Sequence, residues 1–149
     1  MTTDLRRYRR RLPHWRVAGG IYFVTWRIAR DAPDLDAAER DFILTSLRHF
    51  DGVRFTLHAV VVMNDHVHAL VEPRDGFALE RIVQTWKSYT ARQLPSRVGR
   101  LWQPEYWDHI VRDQREFDEY LDYILTNPAR RWPGVEGYPW IWLGPPEPA

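Results

Sequence analysis

The chain contains no cysteine, which excludes disulfides and thiolate metal sites. It has a single lysine, Lys87, so 20 of its 21 basic residues are arginine. No apolar run reaches the roughly 18 residues of a helical membrane span. No apolar leader of signal type opens it. We therefore expect a cytoplasmic protein with no membrane partner. There is no Gly-rich phosphate loop, no G-x-S-x-G and no H-E-x-x-H. Those absences argue against P-loop, serine-hydrolase and zincin chemistry. Ser46, Ser88 and Ser96 have no evident base partner in the sequence.

What is present fits one domain over residues 1–149, with 44% hydrophobic residues to build a core. Residues 1–18 read as a basic arm. Arg6, Arg7, Arg9, Arg10 and Arg11 cluster there around Tyr8. Net charge is only +1, yet this local cluster suits a nucleic-acid backbone. A solvated tail explains it equally well. Residues 132–149 hold three Trp and five Pro without periodicity and read as a tail over the surface.

Between these ends the pattern alternates. Residues 21–28, 54–62, 66–72 and 106–111 read as strands, being rich in β-branched and aromatic types. Asn64-Asp65 marks a hairpin turn. Helices are expected at about 37–50, 78–94 and 114–127. Asp36-x-x-Glu39 and Asp113-x-x-Glu116 look like capping boxes, and Pro95 and Pro128 look like stops. The predicted helical stripes are Ile43, Leu47 and Phe50, then Leu79, Ile82, Val83, Trp86 and Tyr89. The order βαββαβ, then α, is an α+β class pattern and matches the ferredoxin-like split βαβ plan. It predicts an antiparallel sheet with helices on one face and the other face free for a site.

Two groups carry chemistry. His66 and His68 are i and i+2 on a strand, so both imidazoles leave the same face, roughly 7 Å apart. That placement lets them converge on one divalent ion. An isolated His-x-His more often marks two ordinary strand histidines. Tyr123 and Asn127 are i and i+4 on the third helix and share a face. The apolar stripe there is Phe117, Leu121, Ile124 and Leu125; Tyr120 lies nearer to it than Tyr123 does. Tyr120 is thus the core candidate and Tyr123 the site candidate. His58 and His109 read as structural histidines, and Glu72 as a surface residue.

These blocks resemble a known family. V-V-M-N-D-H-V-H-A-L-V (61–71) is similar to the His-hydrophobe-His signature of single-tyrosine HUH transposases. L-W-Q-P-E-Y-W-D-H-I-V-R-D (101–113) and Y-L-D-Y-I-L-T-N-P (120–128) resemble the downstream blocks of their REP-associated branch. R-R-Y-R-R and G-G-I-Y-F-V-T-W-R (19–27) fit the same branch, so the resemblance spans about residues 6–132. It implies an HUH nuclease fold. It implies Mg²⁺ or Mn²⁺ on His66 and His68, with Asn127 where insertion-sequence relatives carry Gln, and Tyr123 as nucleophile. A Pro often found before the first histidine is replaced by Asn64-Asp65, both good turn formers.

The implied activity is nicking and rejoining of single-stranded DNA beside a REP-like hairpin, as in DNA transposition and recombination. A covalent 5′-phosphotyrosine carries it, on a monomer or homodimer. Arg97, Arg100, Arg112, Arg130 and Arg131, with the N-terminal cluster, are the expected phosphate contacts. Two alternatives remain at the level of sequence. One is a non-catalytic hairpin DNA- or RNA-binding module on the same fold. The other is a metal-dependent hydrolase acting through water, with Tyr123 passive.

Overall fold

A computed structural model describes residues 20–94, 97 and 99–144. The basic arm, and with it Arg6, Arg7, Arg9, Arg10 and Arg11, lies outside the described residues. Four strands and three helices follow the expected order: β1 (Ile21–Arg27), α1 (Ala37–Arg48), β2 (Phe55–Val62), β3 (His66–Pro73), α2 (Leu79–Gln93), β4 (Trp107–Val111) and α3 (Gln114–Arg131). A fifth strand, β5 (Ile141–Leu143), comes from the C-terminal tail. The sheet order is β4-β1-β3-β2-β5, with every neighbour antiparallel. No helix among the described residues is long and apolar enough to cross a membrane.

Both faces of the sheet are covered, which corrects the expectation of one free face. Val24, Trp26, Val60, Val62, Val67 and Val71 pack with Ile43 and Leu47 of α1 and Ile82, Val83 and Trp86 of α2. On the reverse face, Ile21, Phe23, Ala59, Val61 and Leu70 pack with Phe117, Leu121 and Ile124 of α3. This explains why Val60-Val61-Val62-Met63 is an unbroken apolar run: a strand buried on both faces needs no polar alternation. A bulge between Leu57 and Ala59 switches the alternation of β2. Leu57 belongs to the first core, while Ala59 belongs to the second.

The bulge also accounts for Glu72, which is buried rather than superficial. His58 Nε2 meets Glu72 Oε1 at 3.1 Å, and the His58 ring stands edge-on to Phe117. A buried carboxylate persists only with such partners.

Local signals fared unevenly. The Asp36 capping box is complete: Glu39 N–H donates to Asp36 Oδ1 at 2.8 Å, and Asp36 N–H to Glu39 Oε1 at 3.0 Å. At α3 only half a box forms. Glu116 N–H donates to Asp113, but the Glu116 carboxylate accepts from Arg112 N–H and pairs with His109. Pro128 does not end α3, which runs on to Arg131. It sits in the last turn, where a missing N–H costs one bond, and Trp132 N–H still reaches the Pro128 carbonyl at 2.8 Å. On α2, Tyr89 is exposed and Thr90 takes the buried position, donating to the Trp86 carbonyl and accepting from Trp102 Nε1.

The tail is more ordered than its composition suggests. Tyr138 donates to the Val62 carbonyl at 2.6 Å and Trp140 Nε1 to Asp41 at 2.6 Å. Ala59, Val60 and Val61 then pair with Leu143, Trp142 and Ile141. The tail thus closes the β2 edge of the sheet.

Arg97 belongs to the fold. Its guanidinium makes four hydrogen bonds: two to Glu39, one to the Pro33 carbonyl and one to the Asp34 carbonyl. With its fork occupied, it has little capacity left for the phosphate contact expected of it. The Glu39 carboxyl is held below its ordinary range, first by the Arg97 hydrogen bond. Arg97→Ala leaves that carboxylate, only 12% exposed, with the Asp36 N–H as its one remaining donor among the described residues. It is expected to cost roughly 3 kcal/mol of stability, measured by denaturant melts. An unchanged midpoint would contradict this role.

Candidate active site

Strand alternation and the β1–β3 register build the site. His66 and His68 leave the α3 face of β3, opposite Arg27 and Thr25 of β1. Their rings lie 4.6 Å apart at 73°. Each has one nitrogen fixed by a neighbour. His66 Nδ1 is 2.6 Å from Asp65 Oδ1, and His68 Nδ1 is 2.7 Å from Thr25 Oγ1. Such outer partners fix ring orientation. The Asp65 carboxylate, which only accepts, also calls for the proton on His66 Nδ1 and leaves its Nε2 lone pair free, while the Thr25 hydroxyl can pair with either tautomer of His68.

His68 Nε2 is buried and has no hydrogen-bond partner among the described residues. An orphaned buried polar atom carries a cost on the order of 1–3 kcal/mol, so it calls for a ligand. Burial, then the charges of His66 and Arg27, lower the His68 pKa to about 3. The imidazole is therefore neutral at physiological pH, the form that ligates metals. Among the described residues no group of three or more His, Cys, Asp or Glu forms a metal centre. A third protein ligand would be of another kind. Asn127 is such a candidate, buried on α3 one turn after Tyr123.

The structure brings Tyr123 to the histidines. The Tyr123 and His68 rings are 5.1 Å apart at 71°. Phe23 organises the contact, stacking on His68 at 5.2 Å and meeting the Tyr123 edge at 5.9 Å. The Arg130 guanidinium lies 4.8 Å from the Tyr123 ring centroid. Tyr120 stacks flat on Phe23 at 4.2 Å, and burial, then Glu116, raises its phenol pKa. Tyr120 thus stays protonated more firmly than a free tyrosine.

His68 and Tyr123 open into a cleft of about 710 Å³ that also holds Arg27, Trp107, His109 and Arg112. Arg112 is highly exposed at its rim. Arg100 lines a different cleft, beside Lys87 and Trp102. Arg131 is exposed at the end of α3, with its guanidinium over Trp132. His109 is not a core histidine: it is half-buried on the cleft wall, bonded to Glu116 Oε1 at 2.7 Å. Sequence reasoning missed Thr25, Arg27, Asp65 and Trp107. The first two were findable, since Phe23, Thr25 and Arg27 alternate on β1 and the ferredoxin-like plan sets β1 beside β3.

A four-stranded βαββαβ frame, a His-hydrophobe-His pair on its central strand and a helical tyrosine against that pair define a single-tyrosine transposase scaffold. The family model for IS200-like transposases matches residues 37–127, more than half of the chain, and the chain belongs to that family. It is 27% identical to a Haemophilus influenzae protein classed among the REP-associated tyrosine transposases, over 87% of this chain and 90% of that one. It is 25% identical to the Escherichia coli REP-associated tyrosine transposase, over 76% of this chain and 69% of that one. The solved structure of a REP-associated tyrosine transposase bound to a REP hairpin superposes with a TM-score of 0.68. That match is 19% identical and covers 88% of this chain and 81% of the other. The chain thus resembles the REP-associated branch in both sequence and fold.

The depressed pKa of His68 makes a stability prediction. Between its unfolded value of 6.5 and its folded value of about 3, the unfolded chain binds a proton that the folded chain does not. Stability must then fall as pH drops through that window and be level above it. His68→Asn should flatten this dependence between pH 6.5 and the carboxylate range, read from melting temperature against pH. Parallel curves for the two proteins would rule the assignment out.

Proposed function

We propose that the chain is a metal-dependent single-stranded DNA endonuclease and strand transferase, acting beside DNA hairpins through a 5′-phosphotyrosine on Tyr123. The observation that carries this is the packing of Tyr123 against His68, whose Nε2 is buried without a hydrogen-bond partner among the described residues. His66 and His68, with Asn127, would hold Mg²⁺ or Mn²⁺. Such an ion, when bound, polarises the non-bridging phosphate oxygens and orients the phosphate.

The remaining chemistry falls to the chain's own residues. The Tyr123 oxygen attacks phosphorus and gives up its proton. The bond from phosphorus to the upstream 3′-oxygen breaks, and that oxygen leaves as a hydroxyl after taking a proton. The downstream strand stays joined to Tyr123 through its 5′-phosphate. Attack by a 3′-hydroxyl reverses the step and reseals DNA, so no nucleotide cofactor is needed. A free tyrosine ionises near pH ~10 and is a weak nucleophile. Arg130 lies over the Tyr123 ring and Arg27 lines the same cleft, so positive charge is at hand for the phosphate.

Exposed Arg100, Arg112, Arg130 and Arg131, and the N-terminal arginines, supply phosphate contacts. A REP-associated relative was solved on a REP hairpin, which supports a hairpin with a single-stranded flank as substrate. Incubation of hairpin-flanked single-stranded DNA with the protein and Mn²⁺ is expected to give a denaturation-resistant adduct. Tyr123→Phe should abolish it, and Tyr120→Phe should retain it. Adducts from Tyr123→Phe would refute the mechanism. Tight hairpin binding with no wild-type adduct would indicate a binding module instead.

A further inference from the structure

Trp107 is the most exposed large apolar side chain lining the cleft, with 52% of its surface in water. Leaving an indole half in solvent forgoes burial that a core would use. Its position is well defined. Thr25 pairs with His68 on one side and with Trp107 on the other. Trp107, Thr25 and His68 therefore form one row across a single sheet face. Two interstrand steps separate the indole from the imidazole, about 10 Å. That is comparable with the reach from a phosphate, across its sugar, to its own base.

The ring is also held in place. It lies parallel to His109, at 8° and 6.0 Å, and meets Phe23 edge-on at 6.0 Å. His109 is itself anchored by Glu116 on α3. Just before Trp107, Lys87 Nζ donates to the carbonyls of Gln103, Pro104 and Glu105 at 2.8, 3.1 and 3.1 Å. The chain's single lysine thereby pins the approach to β4. Arg27 and Arg112 flank the ring in the same cleft and supply charge for phosphates. An exposed, preorganised aromatic surface beside cations is what an unpaired base stacks on.

We propose that Trp107 is the stacking platform for an unpaired nucleobase of the nucleotide joined to the phosphate that Tyr123 attacks. This rests on the reading of Tyr123 given above. Stacking engages the face of a base, so the subsite is tolerant of base identity. It does require a single strand, because a duplex base already has both faces covered. Trp107 would then select for an unpaired nucleotide at the cleavage point.

The test uses the full chain, Mn²⁺ and hairpin-flanked single-stranded DNA. Binding and adduct rate are measured for wild type, Trp107→Phe and Trp107→Ala. The oligonucleotides are intact or carry one abasic site at each position around the cut. Trp107→Ala is expected to weaken binding of intact DNA about tenfold, and Trp107→Phe by less. One abasic position should weaken wild type about tenfold and Trp107→Ala hardly further, the coupling expected of two groups in contact. Trp107→Leu keeps apolar bulk without a ring and gives the same reading should the alanine variant not fold. Equal abasic penalties in wild type and the ring-less variants would overturn the platform. Absence of any wild-type adduct would instead overturn the Tyr123 mechanism, so the two failures are distinguishable.

Discussion

The site depends on a buried imidazole with one nitrogen satisfied and the other not. Thr25 on the neighbouring strand fixes His68 Nδ1, and Phe23 stacks on the ring. The other nitrogen, Nε2, is buried and has no hydrogen-bond partner among the described residues. A sheet centre can impose this because each row of side chains is set by backbone pairing, not by loop conformation. Burial keeps the ring neutral, and neutrality keeps its lone pair available. Stability and ligand readiness thus draw on the same geometry. The orphaned nitrogen carries a cost that a bound water or a metal ion would remove.

The two-sided core serves the same end. α1 and α2 bury one face, while α3 crosses the other and delivers Tyr123 to His68. Had the second face been left open, as a simple split βαβ plan suggests, the tyrosine would have no rigid platform. Phe23 is the pivot, in ring contact with His68, Tyr120, Tyr123 and Trp107. One side chain on β1 therefore couples the histidine row, the Tyr123 helix and the edge strand. The β2 bulge and the buried His58–Glu72 pair shape the floor under Phe117, one turn before Leu121.

Much of this was legible in the chain. Alternation places His66 and His68 on one face, and 3.6-residue spacing puts Tyr123 and Asn127 together; both are local rules that packing did not override. Less legible were features set by partners distant in sequence. Arg97 looked like a phosphate contact, but Glu39 and two carbonyls some sixty positions away claim it. Glu72 looked superficial until the bulge brought His58 beside it. The strand in Ile141–Leu143 is too short for periodicity and is specified by the open β2 edge it closes. Pro128 is a helix breaker by propensity, yet tertiary burial in the last turn outweighs one lost bond. Asp65 was read as turn chemistry alone, while its carboxylate also orients His66.

The central claim is that this sheet face would present the two imidazoles of His66 and His68 to a divalent ion beside the tyrosine. Pulsed electron paramagnetic resonance of added Mn²⁺ tests it without relying on turnover. The account predicts two directly coordinated nitrogens in wild type, falling to one in either His66→Ala or His68→Ala. Mn²⁺ bound through oxygens alone, or nitrogen couplings that survive both substitutions together, would contradict it.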